Sequence, residues 1–154
     1  MMYQRILVPV EHSDNDQVIL RHVRKLARTC NDASIVLIHV ADGWAARNIN
    51  QLGLRESEEM KSDREYIEAI ADDLEKDGYK AEAILAGGDP AKEIAECADR
   101  EKCDLIAMAT HGHRGIADVF WGTVASEVRH ISMVPVLMVR GHPPSNPFSA
   151  RPTS

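Results

Sequence analysis

The sequence predicts an α/β fold: a doubly wound, five-stranded parallel sheet, Rossmann-like, with helices on both faces. Three observations lead to this prediction: short apolar runs without polar alternation, longer segments with helical spacing, and the regular order in which the two alternate. Continuous apolar runs are typical of strands that are buried on both faces, as in parallel sheets. Strands that alternate with helices imply right-handed crossovers, and therefore parallel pairing.

Five apolar runs are the predicted strands, and the third of them is weaker than the others. Each run is short and is followed by a segment with a different periodicity, which is typical of βαβ units. The runs cover residues 5–10, 34–40, 81–86, 104–109 and 136–139.

Helical spacing of apolar residues marks the segments between these runs. The first helix is expected to begin at Asp14, because Gln17 three residues later would complete a capping box. The second is expected to stop near Gly78, the third to open with Pro90 and the fourth to end before Pro135. The apolar positions of the four helices are Ile19, Val23, Leu26, Ala27 and Cys30; Ile67, Ile70, Ala71 and Leu74; Ala91, Ile94, Ala95 and Ala98; and Val124, Val128 and Ile131.

The composition excludes several classes of function. With 18 Lys and Arg against 24 Asp and Glu, the chain carries a formal charge of −6 and has no basic patch, so we expect no nucleic-acid partner. No apolar run approaches the ~20 residues of a membrane span, so we expect no membrane insertion. Cys30, Cys97 and Cys103 form no CxxC pair, which favours a reducing cytoplasm and a structural role for all three.

The length of 154 residues favours one domain. We expect it to span residues 1–140 and to be followed by a disordered or extended tail at 141–154, which contains four prolines and no periodicity. Residues 44–54 interrupt the regular alternation after the second strand. They are interpreted as an irregular excursion or a short helix that could form a lid, with a surface loop as the alternative.

Ligands of open α/β sheets bind at the carboxyl ends of strands, where the strand order reverses. Two such ends are rich in loop residues here, at 9–14 and at 110–115. Gly112 and Gly115 would let backbone N–H groups turn toward a ligand, and Gly122-Thr123 is expected to open the last helix, where phosphate oxygens bind well. A glycine-rich turn without a ligand is the alternative. The stretch matches neither a P-loop nor a GxGxxG fingerprint.

Six sequence pieces, in their order and spacing, resemble the universal stress protein family over about residues 3 to 140. They are Arg-Ile-Leu-Val-Pro-Val at 5–10 with Ser13 after it, Ile38-His39-Val40, Gly88-Asp89-Pro90-Ala91, the run from Cys103 to Gly112, Gly122-Thr123-Val124-Ala125, and Val134-Pro135-Val136-Leu137-Met138-Val139. The resemblance implies the strand order 3-2-1-4-5.

Nucleotide-binding members of that family carry glycine, two residues, glycine, nine residues, glycine, then serine or threonine. This chain matches that pattern at Gly112, Gly122 and Thr123, but Ala109 replaces the first glycine. Glu11 stands where binders usually have aspartate, which displaces the carboxylate by about 1.5 Å. The resemblance therefore implies binding of an adenine nucleotide, with these departures.

The resemblance also assigns roles to residues. Val10, Val40 and Met108 would line the adenine slot, although plain core positions are the alternative for all three. Glu11 and Ala109 would contact the ribose, and a divalent cation, Mg²⁺ or Mn²⁺, is left open beside the phosphates. The full predicted nucleotide site is Pro9, Val10, Glu11, Val40, Met108, Ala109, Gly112, His113, Arg114, Gly115, Gly122, Thr123 and Val124.

The function that follows is that of a cytoplasmic stress-response or regulatory protein that binds ATP, with AMP or another nucleotide left open. The sequence shows no positioned nucleophile, general base or metal cluster, so we expect at most slow ATP hydrolysis. The apolar last strand lies at the sheet edge in the order 3-2-1-4-5, which predicts a homodimer joined there. The alternative is a ligand-free dimeric adaptor of the same fold, and a flavoprotein is a more distant one.

Overall fold

The computed structural model describes residues 2–42, 58–110 and 116–140. The interruption at 44–54, the tail at 141–154 and the predicted phosphate residues Gly112, His113, Arg114 and Gly115 lie outside the described residues. In chain order the elements are β1 (Arg5–Pro9), α1 (Asn15–Thr29), β2 (Ser34–Asp42), α2 (Glu58–Lys76), β3 (Ala81–Gly88), α3 (Pro90–Arg100), β4 (Leu105–Thr110), α4 (Ile116–Ile131) and β5 (Val136–Arg140).

The five strands form one parallel sheet in the order β3-β2-β1-β4-β5. This confirms the predicted order 3-2-1-4-5 and the α/β class. The chain winds outward from β1 through β2 to β3, then crosses to β4 and β5 on the other side. The strand order therefore reverses between β1 and β4, and β3 and β5 are the edges of the sheet.

Side chains alternate along the central strands between two cores, one on each face of the sheet. In β1, Ile6 and Val8 pack in the core covered by α1 and α2, and Leu7 packs in the core covered by α3 and α4. All three are fully buried, which explains why the strand reads as an unbroken apolar run. The molecule thus has three layers, with helices on both faces.

The third helix begins as predicted, whereas the capping box predicted for the first is wrong. Asp89 is extended (φ −74°, ψ 119°), and its carboxylate accepts a hydrogen bond from the Lys92 N–H at 3.1 Å, with Pro90 as the next residue. Asp14 precedes α1 but has helical dihedrals (φ −62°, ψ −21°) and makes no side-chain cap hydrogen bond. A capping side chain needs an extended backbone to reach back over the first turn.

The start of the last helix also differs from the prediction. Helix α4 begins at Ile116, so Gly122 and Thr123 lie in its interior rather than at its start. The segment 116–131 contains no proline, and one interior glycine costs only about 1 kcal/mol, which does not end a helix. Because the helix dipole acts mainly within the first turn, it no longer supports a phosphate site at these two residues.

No helix in the described ranges is long and apolar enough to cross a membrane. The three cysteines are free and buried, in agreement with the structural role expected for them. Burial raises the pKa of the Cys103 thiol to about 11 and also raises that of Cys97. Neither thiol is therefore ionised to a reactive thiolate near neutral pH.

Candidate functional site

The carboxyl ends of β1 and β2 carry a dense group of polar side chains. Residues 10–14 connect β1 to α1 at the carboxyl end of β1, next to the point where the strand order reverses. The Ile38 carbonyl of the neighbouring β2 accepts a hydrogen bond from the Val10 N–H at 2.8 Å. His12 in this turn has φ of 61°, in the left-handed region, which bends the chain sharply into α1. This turn positions the polar side chains of residues 11–16.

Glu11 points into a small hydrogen-bonded cluster. Its Oε1 accepts from the Ser13 hydroxyl at 2.5 Å and from the Asn15 side-chain amide at 2.8 Å. Asn15 is itself buried at the start of α1. The carboxylate predicted to contact a ribose is therefore fixed in place by neighbours from its own turn and helix.

Asp16, one residue further into α1, is only 1% exposed. Its carboxylate accepts hydrogen bonds from the Glu11 N–H (3.0 Å), the Ser13 N–H (3.1 Å) and the Tyr66 hydroxyl (2.6 Å). Buried carboxylates need such partners, because an unpaired charge in the interior is very unfavourable. Asp16 thus closes the β1–α1 turn and connects it to helix α2.

Asp63 of α2 is the second buried carboxylate at this end of the sheet, at 7% exposure. Its Oδ1 lies 2.7 Å from His12 Nδ1, and its Oδ2 lies 3.1 Å from His39 Nε2. The other ring nitrogen of His39, Nδ1, lies 2.9 Å from the Val10 carbonyl oxygen. One carboxylate therefore connects the turn after β1, the end of β2 and helix α2.

Tyr66 completes this group. Its ring stacks on the His12 imidazole with centroids 3.9 Å apart and planes inclined by 20°. Burial, and next the hydrogen bond to Asp16, raise the pKa of its hydroxyl, so Tyr66 remains a donor. We call the whole group the strand-end network; it consists of Glu11, His12, Ser13, Asn15, Asp16, His39, Asp63 and Tyr66.

The structure divides the apolar part of the predicted site between the two faces of the sheet. Val10 and Ala109 are buried in the core under α1 and α2, and Met108 is buried in the core under α3 and α4. Val40 packs against that second core and is only partly buried. The side chains of Val10 and Met108 are therefore core side chains, the alternative expected for them.

The remaining predicted residues that the structure describes lie in β1 and α4. Pro9 ends β1 and pairs with Ile38 of β2, beside the strand-end network. Val124 is buried against the second core, and Thr123 is exposed on α4.

Sequence reasoning missed Asp63, Tyr66 and Asp16. Asp63 lies four residues before Ile67, and Tyr66 four before Ile70, so both side chains fall on the buried face of α2. Asp16 stands three residues before the buried Ile19 in the same way. An acidic or hydroxyl side chain in register with a core stripe is therefore the signal that could have found them.

The acid and imidazole groups of the network are arranged for hydrogen bonding with one another. Across the described ranges, no cluster of three or more His, Cys, Asp or Glu side chains has the arrangement of a metal site. What the network can do chemically is present a fixed carboxylate, Glu11, beside the open ends of β1 and β2.

Comparisons with known proteins give the same family for the whole described chain. The profile of the universal stress protein family matches residues 2–140. Universal stress protein MJ0577 of Methanocaldococcus jannaschii is 31% identical over 160 residues, which cover 91% of this chain and 96% of that protein. The Sll1388 protein of Synechocystis is 26% identical and is covered over 99% of its length.

Solved structures share the fold. The structure of MJ0577 superposes with a TM-score of 0.75 at 30% identity, covering 92% of this chain and 99% of that one. A universal stress protein from Archaeoglobus fulgidus, solved in complex with dAMP, gives a TM-score of 0.66 at 22% identity, with 90% of this chain and 98% of that one covered. With the profile match over residues 2–140, the 31% identity to MJ0577 over 91% of the chain and the shared fold, the chain belongs to the universal stress protein family.

Proposed function

We propose that this protein binds an adenine nucleotide, ATP in the first instance, at the carboxyl ends of β1, β2 and β4, and that it acts as a stress-response regulator through ligand occupancy. The observation that carries the proposal is the Glu11 carboxylate, fixed by Ser13 and Asn15 at the point where the strand order reverses. Ribose hydroxyls are donors that a fixed carboxylate accepts well.

The described residues fit such a ligand in part. Glu11 offers the charged acceptor, and the partly buried Val40 offers apolar surface next to the backbone of β2. Val10 and Met108 are core residues, so their contribution would come from backbone groups. The dAMP complex of the A. fulgidus relative, and a universal stress protein solved with cAMP, support an adenine nucleotide as the ligand class.

Several finer features belong to the same proposal. ATP would be accompanied by Mg²⁺ or Mn²⁺, its phosphates would be bound by the residues from Gly112 to Gly115 and by the exposed Thr123, and hydrolysis would be slow at most. A cytoplasmic location agrees with the three free cysteines.

Calorimetric titration with MgATP and with AMP tests the proposal, with GTP as the control ligand. Glu11→Gln removes the charge but keeps the shape, and we expect it to weaken ATP binding by about ten-fold, because hydrogen bonds to charged groups are worth about 1.5–3 kcal/mol. Glu96→Gln, the same change at an exposed position of α3, should leave the affinity unchanged. Equal affinities of the two variants, or no binding of either nucleotide to the parent protein, would contradict it.

One observation favours a second function, that of a ligand-free dimeric adaptor. The strand β5 presents Met138 at 37% exposure, and among the described strands it pairs only with β4. Mass spectrometry of the purified protein after dialysis separates the two functions. A nucleotide that is retained through dialysis favours the nucleotide-binding function, and a protein free of nucleotide that also fails to bind added ATP favours the adaptor.

A further inference from the structure

The two side-chain donors that the structure describes for the Glu11 carboxylate bond to the same oxygen. The Ser13 hydroxyl lies 2.5 Å from Oε1, and the Asn15 side-chain nitrogen Nδ2 lies 2.8 Å from it. A carboxylate oxygen has two lone pairs, so these two donors occupy the acceptor sites of Oε1. Glu11 is only partly buried, and its other oxygen, Oε2, is therefore the one that can accept from a ligand.

Both donors have their orientation fixed by the start of helix α1. The Ser13 oxygen accepts a hydrogen bond from the Asn15 backbone N–H at 3.3 Å, which leaves the hydroxyl hydrogen to point at Glu11. The Asn15 side chain is 6% exposed, and it must turn its NH₂ group toward Glu11, because a carboxylate oxygen can only accept. The first turn of the helix thus holds the glutamate side chain by two directed hydrogen bonds.

The backbone of the same turn is fixed separately by Asp16. Its Oδ1 accepts from the Glu11 N–H at 3.0 Å, and its Oδ2 accepts from the Ser13 N–H at 3.1 Å. The Glu11 side chain is therefore held at both ends, at its backbone and at Oε1. A free glutamate side chain would have to become ordered when a ligand binds, which typically weakens binding by about two- to ten-fold.

We propose that Ser13 and Asn15 are positioning residues that occupy Glu11 Oε1, so that Oε2 accepts from a single hydroxyl of a ribose. This inference rests on the proposed function and deepens it, because it makes one of the two ribose hydroxyls a requirement for tight binding. The lone pairs of one sp² oxygen diverge, whereas the hydroxyls of a ribose are neighbours, so one oxygen takes one strong hydrogen bond from them. A carboxylate with two unoccupied oxygens could instead take one hydroxyl on each.

Adenine nucleotides that lack one hydroxyl test this difference. The parent protein is titrated calorimetrically with the magnesium complexes of ATP, 2′-deoxy-ATP and 3′-deoxy-ATP at one pH. We expect one deoxy analogue to bind about ten-fold more weakly than ATP, the value of a hydrogen bond to a charged group, and the other to bind as ATP does. Equal affinities of the two analogues, whether lower than that of ATP or the same, would overturn the inference.

Glu11→Gln attributes the difference to Glu11. The amide oxygen should face Ser13 and Asn15, which donate, so the amide nitrogen takes the place of Oε2 and cannot accept from a hydroxyl. The two analogues should then bind with nearly the same affinity. A difference as large as that of the parent would mean that another group contacts the hydroxyl, and would overturn the inference.

Ser13→Ala and Asn15→Ala each remove one donor from Oε1. In both variants the ratio of the dissociation constants of the two analogues should fall from about ten toward one, because the carboxylate is no longer held with Oε2 toward the ligand. A role confined to the folding of the turn would weaken ATP and both analogues by the same factor. A ratio that stays at the parent value would therefore refute the positioning role.

Conservative and control variants complete the set. Ser13→Thr keeps the hydroxyl and should keep the ratio of the parent. Ser62→Ala on α2 and Gln17→Ala on α1 remove a hydroxyl and an amide at exposed positions, and both should also keep it. Because Asn15 is buried, its alanine variant can fail to fold; the comparison of Ser13→Ala with Ser13→Thr then decides, and equal ratios for these two would overturn the inference.

Failure of this inference can be distinguished from failure of the proposed function. A parent protein that binds neither ATP nor the two analogues refutes the proposed function, and this inference with it. A parent protein that binds ATP, with a ratio that is the same in all the Ser13 and Asn15 variants, refutes only the positioning role and leaves nucleotide binding intact.

Discussion

Asp16 and Tyr66 illustrate what individual residues contribute to this end of the molecule. Asp16 is buried with three donors on its carboxylate, and Tyr66 is the only one of the three that comes from another helix. The tyrosine hydroxyl therefore fixes the position of α2 relative to the β1–α1 turn. Its raised pKa gives a way to measure this contact.

The pH dependence of stability should report the Tyr66 hydroxyl. Because its pKa is higher in the folded protein than the usual value of about 10, its contribution is complete below about pH 10 and is lost as pH rises further. Between about pH 9 and pH 11 the parent should lose up to about 1.4 kcal/mol relative to Tyr66→Phe, an upper bound because the ring is only partly buried.

Urea unfolding of the two proteins across this range checks the Tyr66 prediction. Below about pH 9 the difference between them should be constant. If the two stability curves stay parallel up to about pH 11, then the hydroxyl is not held as a donor to Asp16.

At the scale of single elements, the start of α3 depends on one side chain. Asp89 caps the Lys92 N–H, and Pro90 fixes the first helical φ. Asp89→Ala should lower the free energy of unfolding by about 1 kcal/mol, whereas Asp89→Asn, which keeps an accepting oxygen, should cost only a few tenths of that. Chemical denaturation of both variants decides this, and equal losses would show that the charge rather than the cap stabilises the helix.

The edge strand β5 gives the prediction about assembly. Among the strands that the structure describes it pairs with β4 alone, and Met138 is partly exposed on it. We expect two copies to join through this strand around a two-fold axis, giving a dimer of about 34 kDa, twice the 17.1 kDa chain. Met138→Lys should shift the mass toward the monomer, because a charge would be buried in the interface.

Light scattering at micromolar concentration measures this mass. Met2→Lys, an equally large change at an exposed position outside β5, should leave the dimer intact. A monomeric parent protein, or a Met138→Lys variant that remains dimeric, would mean that β5 is not the interface.

For the molecule as a whole, the segment 141–154 is expected to add little to stability, because it contains four prolines and few apolar residues. Strand β5 just before it does pack in the interior, with Leu137 and Val139 on one core and Val136 on the other. A chain ending at Arg140 should therefore melt within about 2 °C of the full chain, since a change of 1 kcal/mol moves Tm by a few degrees. A chain ending at Pro135, which lacks β5, should melt far lower; a large drop for the first truncation would show that the tail packs on the domain.

The sequence by itself determined the α/β class, all five strands and the helical segments between them. Runs such as Ile6-Leu7-Val8 are apolar on both faces because two cores cover the sheet, and stripes such as Ile67, Ile70 and Leu74 mark one helix face. These are local patterns, which depend only on the periodicity of side chains along a strand or a helix. The positions of Glu11 at a strand end and of Asp89 before Pro90 could be read in the same way.

Only the tertiary structure decided which polar side chains meet. His12 and Asp63 are 51 residues apart, and their contact depends on how α2 is rotated and placed when Ile67, Ile70 and Leu74 pack on the sheet. The start of α4 at Ile116 could not be predicted from local sequence either, because the sequence tolerates Gly122 inside the helix as well as at its start. The separation of Val10 from Met108 follows from alternation along two different strands, whose phases are related only by the register of the sheet.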